Sequence, residues 1–95
     1  MNGYIRDIQE KAVPVLKRYG VKRAALFGSY AQGRVRKASD VDLLVDIGEE
    51  VSLLDFVGLK IDLETTLERN VDLVEYGTLK PLLRDKILRQ QIVLL

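Results

Sequence analysis

Two aspartates separated by one residue stand at the start of an apolar segment, SDVDLLV, at positions 39–45. If this segment is a strand, successive side chains point to opposite faces, so Asp40 and Asp42 lie on the same face. Two carboxylates directed into one space repel each other unless a cation lies between them. Magnesium prefers oxygen ligands of this kind. The pair therefore predicts a site for a divalent metal ion.

A short turn bounded by glycines, GSYAQG at positions 28–33, precedes the aspartate pair. Glycine permits positive φ and close approach of the backbone, and free amides at a short helix beginning at Ser29 would suit an anion such as phosphate. Each of these residues alone could have a purely structural role. Gly28 and Gly33 could be turn residues, Ser29 could be a helix cap, and the aspartates could lie on the solvated edge of a strand. Their combination in this order favours nucleotide chemistry.

This arrangement resembles the minimal nucleotidyltransferases of the DNA polymerase beta superfamily, whose motif is matched by Gly28, Ser29, Gly33, Asp40 and Asp42. The resemblance covers nearly the whole chain. It implies an α/β nucleotidyltransferase fold, with a small mixed sheet covered by helices and the active site at one open end of the sheet. It also implies a third carboxylate on a later strand, which is Asp72 in the segment NVDLV. Asp72 could equally be a polar residue at the edge of a strand.

The resemblance also implies roles for these residues. Asp40, Asp42 and Asp72 are expected to hold magnesium, with two ions as in other two-metal sites, and Asp72 is expected to accept a proton. ATP is expected to be bound by Gly28, Ser29, Gly33 and Ser39.

The function implied by the family is transfer of AMP from ATP to a hydroxyl group, here a tyrosine of a HEPN-domain RNase toxin, so that the chain acts as an antitoxin. With 95 residues, the chain is expected to be one domain, 1–95, that takes its acceptor surface from a partner or a second copy. Two alternatives stay open: a non-catalytic antitoxin that only binds its partner, and a small-molecule nucleotidyltransferase of the aminoglycoside-modifying type.

Composition excludes several other classes of site and partner. The chain has 15 basic and 14 acidic side chains, so its balanced charge predicts no direct binding of nucleic acid. It has no cysteine and no histidine, which rules out disulfides, thiol catalysis, common zinc sites and a serine–histidine–aspartate triad. There is no signal-like segment and no apolar run of membrane-spanning length, and we expect a cytoplasmic protein.

Apolar periodicity predicts the elements that position these residues. A first helix ends at Gly20, and Pro14 is expected to kink it or split it near Val13; its apolar positions are Ile5, Ile8, Ala12, Val15, Leu16 and Tyr19. Strands are predicted at 21–27, from 41 with an apolar face at Val41, Leu43, Val45 and Ile47, and at 70–76.

The second half of the chain contains two predicted helices. A capping box at Ser52 and Asp55 begins a helix that runs to about Glu68, and its buried stripe is predicted to be Leu53, Leu54, Val57, Ile61 and Leu67. The last helix is predicted to be capped by Thr78 and to reach Arg89. The apolar end, 92–95, is predicted to be an edge strand or a contact for another chain.

Overall fold

A computed structural model describes residues 3–28, 40–48 and 51–95 of the chain. The elements in chain order are α1 (Gly3–Arg18), β1 (Arg23–Phe27), β2 (Val41–Asp46), α2 (Leu53–Leu67), β3 (Val71–Glu75), a 3₁₀ turn (Tyr76–Thr78), α3 (Pro81–Gln90) and β4 (Ile92–Val93). No helix within these ranges is long and apolar enough to cross a bilayer.

The strands of the described ranges form one mixed sheet in the order β3-β2-β1-β4. β1 pairs antiparallel with β2 and with β4, whereas β2 and β3 are parallel. Parallel neighbours need a crossover, and α2 provides it. Because β2 and β3 run in the same direction, both begin at the same end of the sheet. The predicted α/β fold with a small mixed sheet covered by helices is confirmed.

The hydrophobic core lies between one face of the sheet and helices α1 and α2. Alternate residues of the strands supply the sheet side of this core, as the alternation of β2 predicted; they are Ala24, Leu26, Val41, Leu43, Val45, Val71 and Leu73. Ala25 and Leu44, which are partners in the β1–β2 ladder, are fully buried on the opposite face. Within β2, the side chains of the second face that are partly open to solvent are Asp42 and Asp46, which lie near the two ends of the strand.

Helix α1 buries most of the stripe that its sequence predicts, namely Ile5, Ile8, Ala12, Val15 and Leu16, while Tyr19 is half-buried beyond its end. Of the two outcomes predicted for Pro14, a split near Val13 is wrong, because α1 continues through the proline, and a kink stays a prediction. Proline removes one backbone donor, but Ala12, Val15 and Leu16 hold both sides of Pro14 in the core and the proline ring is exposed. Gly20, with φ of 75°, follows the helix end as predicted.

Helix α2 begins with the predicted capping box but buries a different face. The Asp55 amide donates to Ser52 Oγ at 3.1 Å, and the Ser52 amide donates to the Asp55 carboxylate at 3.5 Å. The predicted stripe is wrong except for Leu67. Exposed fractions are 79% for Leu53, 84% for Leu54, 45% for Val57 and 55% for Ile61, whereas the buried residues are Leu59, Leu63 and Leu67.

The error in α2 has a simple geometric cause. Leu59, Leu63 and Leu67 follow the four-residue spacing of one helical face, as do Leu53, Val57 and Ile61. The two series are displaced by two residues, which is about 200° around an α-helix. Only one of them can face the sheet.

The C-terminal elements differ from the prediction at one cap. Thr78 lies in the 3₁₀ turn, where its hydroxyl donates to the Glu75 carbonyl at 2.9 Å, and the residue before α3 is Lys80. Thr78 is therefore not the cap of α3, because the 3₁₀ turn delays the helix until Pro81 occupies its first turn. Ile92 and Val93 pair with β1 at the edge of the sheet, which confirms the edge-strand alternative.

Candidate functional site

Three aspartates lie at the end of the sheet where β2 and β3 begin. Asp42 in β2 is directly opposite Asp72 in β3, and Asp40 immediately precedes β2. Asp40 and Asp72 are exposed, and Asp42 is half-buried. The parallel register thus brings together residues that are 30 positions apart in the chain (72 − 42).

The electrostatic environment of Asp42 is unfavourable for its negative charge. Burial and then the charges of Asp72 and Asp40 raise the pKa of Asp42 above its ordinary value, and all three causes act in the same direction. A divalent cation would supply the compensating positive charge. The oxygen donors at this end of the sheet have the chemistry that magnesium prefers. However, among residues 3–28, 40–48 and 51–95 no three acidic side chains are gathered into a ready-made metal shell.

Gly28 is packed against the Asp42 side chain. Its φ is +66°, and a Cβ atom added there would overlap the Asp42 Oδ2 atom and lie 3.1 Å from Cγ. Glycine is required here both by the backbone conformation and by the close approach of the carboxylate. Gly28 follows Phe27, the β1 partner of Asp42, so the start of the glycine turn adjoins the aspartate pair. Ser29, Gly33 and Ser39, which the sequence assigns to ATP binding, lie outside the described residues.

One further residue at this end, Glu64 of α2, was not identified from the sequence. Its carboxylate accepts a hydrogen bond from the Val71 amide at 3.0 Å, one residue before Asp72. An acidic residue near the C-terminus of a helix is unfavourable with respect to the helix dipole, and the last turn of α2 has no basic residue. That unusual placement is the sequence feature that could have drawn attention to it.

The other end of the same sheet face carries a different polar cluster. Arg23 Nε lies 3.7 Å from Asp46 Oδ2, and the Arg23 guanidinium lies 4.7 Å from the centre of the Tyr76 ring. The Tyr76 hydroxyl donates to Gln91 Oε1 at 2.8 Å. These contacts tie β1 and β2 to the segments on either side of α3. At this end of the sheet, Asp46 therefore has the Arg23 cation beside it.

Known proteins resemble this chain in sequence. The family model described as polymerase beta nucleotidyltransferase matches residues 10–95. MJ0435 of Methanocaldococcus jannaschii, named as a candidate protein adenylyltransferase, is 47% identical over 88 residues, covering 93% of this chain and 95% of that protein. The protein adenylyltransferase MntA of Thermococcus cleftensis is 42% identical over 76 residues, covering 80% of this chain and 77% of the relative.

Solved structures agree with these relationships. A candidate minimal nucleotidyltransferase superposes with a TM-score of 0.80 at 41% identity, covering 93% of this chain and 90% of the other. A toxin–antitoxin crystal structure with AMP-PNP contains a chain that superposes with a TM-score of 0.78 at 26% identity, covering 92% of this chain and 72% of the other. The resemblance inferred from the glycine turn and the aspartates is confirmed, and the chain belongs to the polymerase beta nucleotidyltransferase family.

Proposed function

We propose that this protein is a protein adenylyltransferase that moves AMP from ATP to a tyrosine hydroxyl of a HEPN-type toxin and thereby acts as an antitoxin. The observation that carries the proposal is the register that sets Asp42 opposite Asp72, with Asp40 beside them, in a chain of this family. Relatives named as protein adenylyltransferases support AMP as the transferred group. The toxin–antitoxin structure with AMP-PNP supports an adenine nucleotide as the substrate and a toxin as the partner, and the HEPN class and the tyrosine acceptor rest on the family resemblance.

Asp40, Asp42 and Asp72 are the residues proposed to hold magnesium, with two ions. The unfavourable charge of Asp42 supports this assignment, since burial and both neighbouring carboxylates raise its pKa and a divalent ion would oppose that effect. Bound magnesium would supply charge neutralisation for the triphosphate and for the leaving pyrophosphate.

The protein's own groups have distinct roles in the proposed transfer. The acceptor hydroxyl oxygen forms a bond to the α-phosphorus of ATP, the bond from that phosphorus to the pyrophosphate oxygen breaks, and Asp72 accepts the hydroxyl proton. Gly28 keeps space for the Asp42 carboxylate, whose overlap with any Cβ at that position supports this role. The proposal that Ser29, Gly33 and Ser39 bind the phosphates of ATP rests on motif order.

A non-catalytic antitoxin is the alternative from a different class. A purely structural surface does not require a half-buried aspartate facing two other carboxylates, and the raised pKa of Asp42 indicates that this arrangement is costly for its charged form. A small-molecule nucleotidyltransferase is the second alternative. The cytoplasmic location, the single domain at 1–95 and a homo-oligomeric or hetero-oligomeric assembly stay predictions.

The test is co-expression of the protein with the product of the adjacent gene, followed by intact-mass measurement of that partner. We expect a partner mass raised by one or more AMP units with the wild type and with Asp46→Asn, and no increase with Asp42→Asn. Asp46 is the matched control because it is on the same strand face but beside Arg23. A stable complex without added AMP would favour the non-catalytic alternative. AMP transfer to a free aminoglycoside, without a complex, would favour the small-molecule enzyme.

A further inference from the structure

The peptide group that joins Asn70 to Val71 is hydrogen-bonded at both of its ends. Its carbonyl oxygen accepts from the Val41 amide of β2 at 2.9 Å, and its amide donates to Glu64 Oε2 of α2 at 3.0 Å. A planar peptide held on both sides has little freedom to rotate. The start of β3 is thereby fixed between a strand and a helix.

This peptide and its partner Val41 are next to the three candidate site aspartates in the sequence. Val41 is between Asp40 and Asp42 in sequence, and Val71 directly precedes Asp72. Among the described strands, β3 is at the edge of the sheet and pairs with β2 alone, so the sheet fixes it from one side. The bond from Val71 to Glu64 fixes it from the other side.

The position of Glu64 on α2 is itself well determined. Leu63 and Leu67, which flank it, are buried in the core at 0% and 6% exposure, so α2 cannot rotate without disrupting that packing. Glu64 is near the C-terminus of the helix, where a negative charge opposes the helix dipole. Its hydrogen bond to Val71 provides a reason for an acidic residue at this place.

We propose that Glu64 is a positioning residue for Asp72: by binding the Val71 amide, it holds the start of β3 so that Asp72 stays opposite Asp42. The contact between Glu64 and the Val71 amide is seen in the structure. Its consequence for catalysis rests on the proposed function. Groups that orient metal-binding side chains in this indirect way change metal affinity or activity by about 10- to 100-fold when they are removed.

The experiment compares Glu64→Ala with Glu64→Gln and with Glu68→Gln as the control. Gln keeps an acceptor oxygen for Val71 and removes only the charge, whereas Ala removes the acceptor. Glu68→Gln makes the same charge change one turn further along. Three quantities are measured for each full-length variant: hydrogen exchange of the Val71 amide, the affinity for Mn²⁺ in the presence of ATP, and kcat and KM for AMP transfer.

We expect Glu64→Ala to speed exchange at Val71 by about tenfold or more and to weaken Mn²⁺ binding and kcat by about 10- to 100-fold, with KM for ATP little changed. Glu64→Gln should recover most of both losses, and Glu68→Gln should behave as the wild type. Thermal unfolding of each variant checks that the fold is retained.

Two results would overturn the proposal. One is fast exchange at Val71 in Glu64→Ala with wild-type Mn²⁺ affinity; the other is an equal loss in Glu64→Gln and Glu64→Ala, which would assign the effect to charge. If the wild type transferred no AMP to the toxin, the proposed function would fail. The exchange and Mn²⁺ measurements would still decide whether Glu64 positions Asp72.

Discussion

Asp42 and Asp46 lie on the same face of β2, four residues apart, yet they are in opposite electrostatic surroundings. Asp46 has Arg23 opposite it in β1, with Nε 3.7 Å from its carboxylate. Asp42 has Phe27 opposite it in β1 and Asp72 opposite it in β3. One aspartate has a cationic partner, and the other has an additional negative charge.

This difference separates a structural aspartate from a candidate catalytic one. An aspartate that only supports the fold is most stable beside a cation or donor, as Asp46 is. An aspartate that binds a metal must stay available for it, and its charge is unfavourable until the metal arrives. The neighbours across the strands, rather than the residue type, distinguish the two roles.

Neutralising each aspartate in turn tests this difference between Asp42 and Asp46 most directly. Asp42→Asn should lower AMP transfer by about a thousandfold, because loss of a proposed metal ligand would remove about 4 kcal/mol of transition-state stabilisation. Asp46→Asn should leave transfer near the wild-type rate. Transfer is followed by the mass of the acceptor protein, and urea unfolding should show no loss of stability in Asp42→Asn. Equal loss of activity in both variants would contradict the comparison.

The glycines near the two aspartates provide the next test. Gly28→Ala should destabilise the protein by about 1–3 kcal/mol, because a Cβ there has a strained positive φ and overlaps Asp42. Gly48→Ala, beyond the Asp46 end of β2, has nothing within 4 Å of the added Cβ and should change stability by less than about 0.5 kcal/mol. Both are measured by urea unfolding. A Gly28→Ala variant as stable and active as the wild type would show that Asp42 does not depend on this glycine.

The pH dependence of stability should reveal the unfavourable charge of Asp42. Its pKa in the folded protein is raised above the ordinary 3.8 by burial and then by the charges of Asp72 and Asp40. Between 3.8 and the raised pKa, the folded state binds more protons than the unfolded state, so stability falls as the pH rises through this window. Below 3.8 the group is protonated in both states and the stabilisation from protonation is fully present.

Asp42→Asn should remove this contribution. The free energy of unfolding of the wild type minus that of Asp42→Asn should therefore decrease with rising pH across the window and level off above it. Urea titrations without divalent metal, at a series of pH values, measure this difference. A difference that is constant with pH would mean that Asp42 carries no such penalty.

The smallest effect is expected at the Asp46 end. Arg23→Ala should cost at most about 2 kcal/mol, because it removes two exposed contacts, the ion pair with Asp46 and the contact with the Tyr76 ring, each worth about 1 kcal/mol or less. Lys17→Ala, at an exposed cation of α1, serves as the control. Thermal unfolding at low and high salt measures both, and the Arg23 effect should shrink in high salt. A loss of AMP transfer in Arg23→Ala would place this cluster in the functional site.

The sequence alone predicted those features that depend on neighbouring residues or on one regular spacing of apolar residues. The capping box at Ser52, the stripe of α1 and the alternation of β2 were predicted because each is set by neighbouring residues. The family resemblance was likewise carried by a short ordered motif. These are the parts of the fold in which local preference and tertiary packing agree.

Other features depended on information that the sequence pattern does not contain. α2 has two apolar series, and only contact with the sheet selects Leu59, Leu63 and Leu67 over the exposed series. The bond between Glu64 and Val71 joins a helix to an edge strand, so no spacing rule reveals it. The opposition of Asp42 and Asp72 requires the parallel register, which is known only once the crossover is in place.

The register of β2 and β3 also links the pairing of Asp42 with Asp72 to correct folding. If β3 slipped by one residue along β2, its side chains would exchange faces: Asp72 would enter the apolar core, and Val71 and Leu73 would turn to the opposite face. Burying an unpaired carboxylate while losing two buried apolar contacts would be strongly unfavourable. The misaligned form that would lack the carboxylate pair is thus also the form that cannot complete its core. Packing of the core therefore selects the strand register that places Asp72 opposite Asp42.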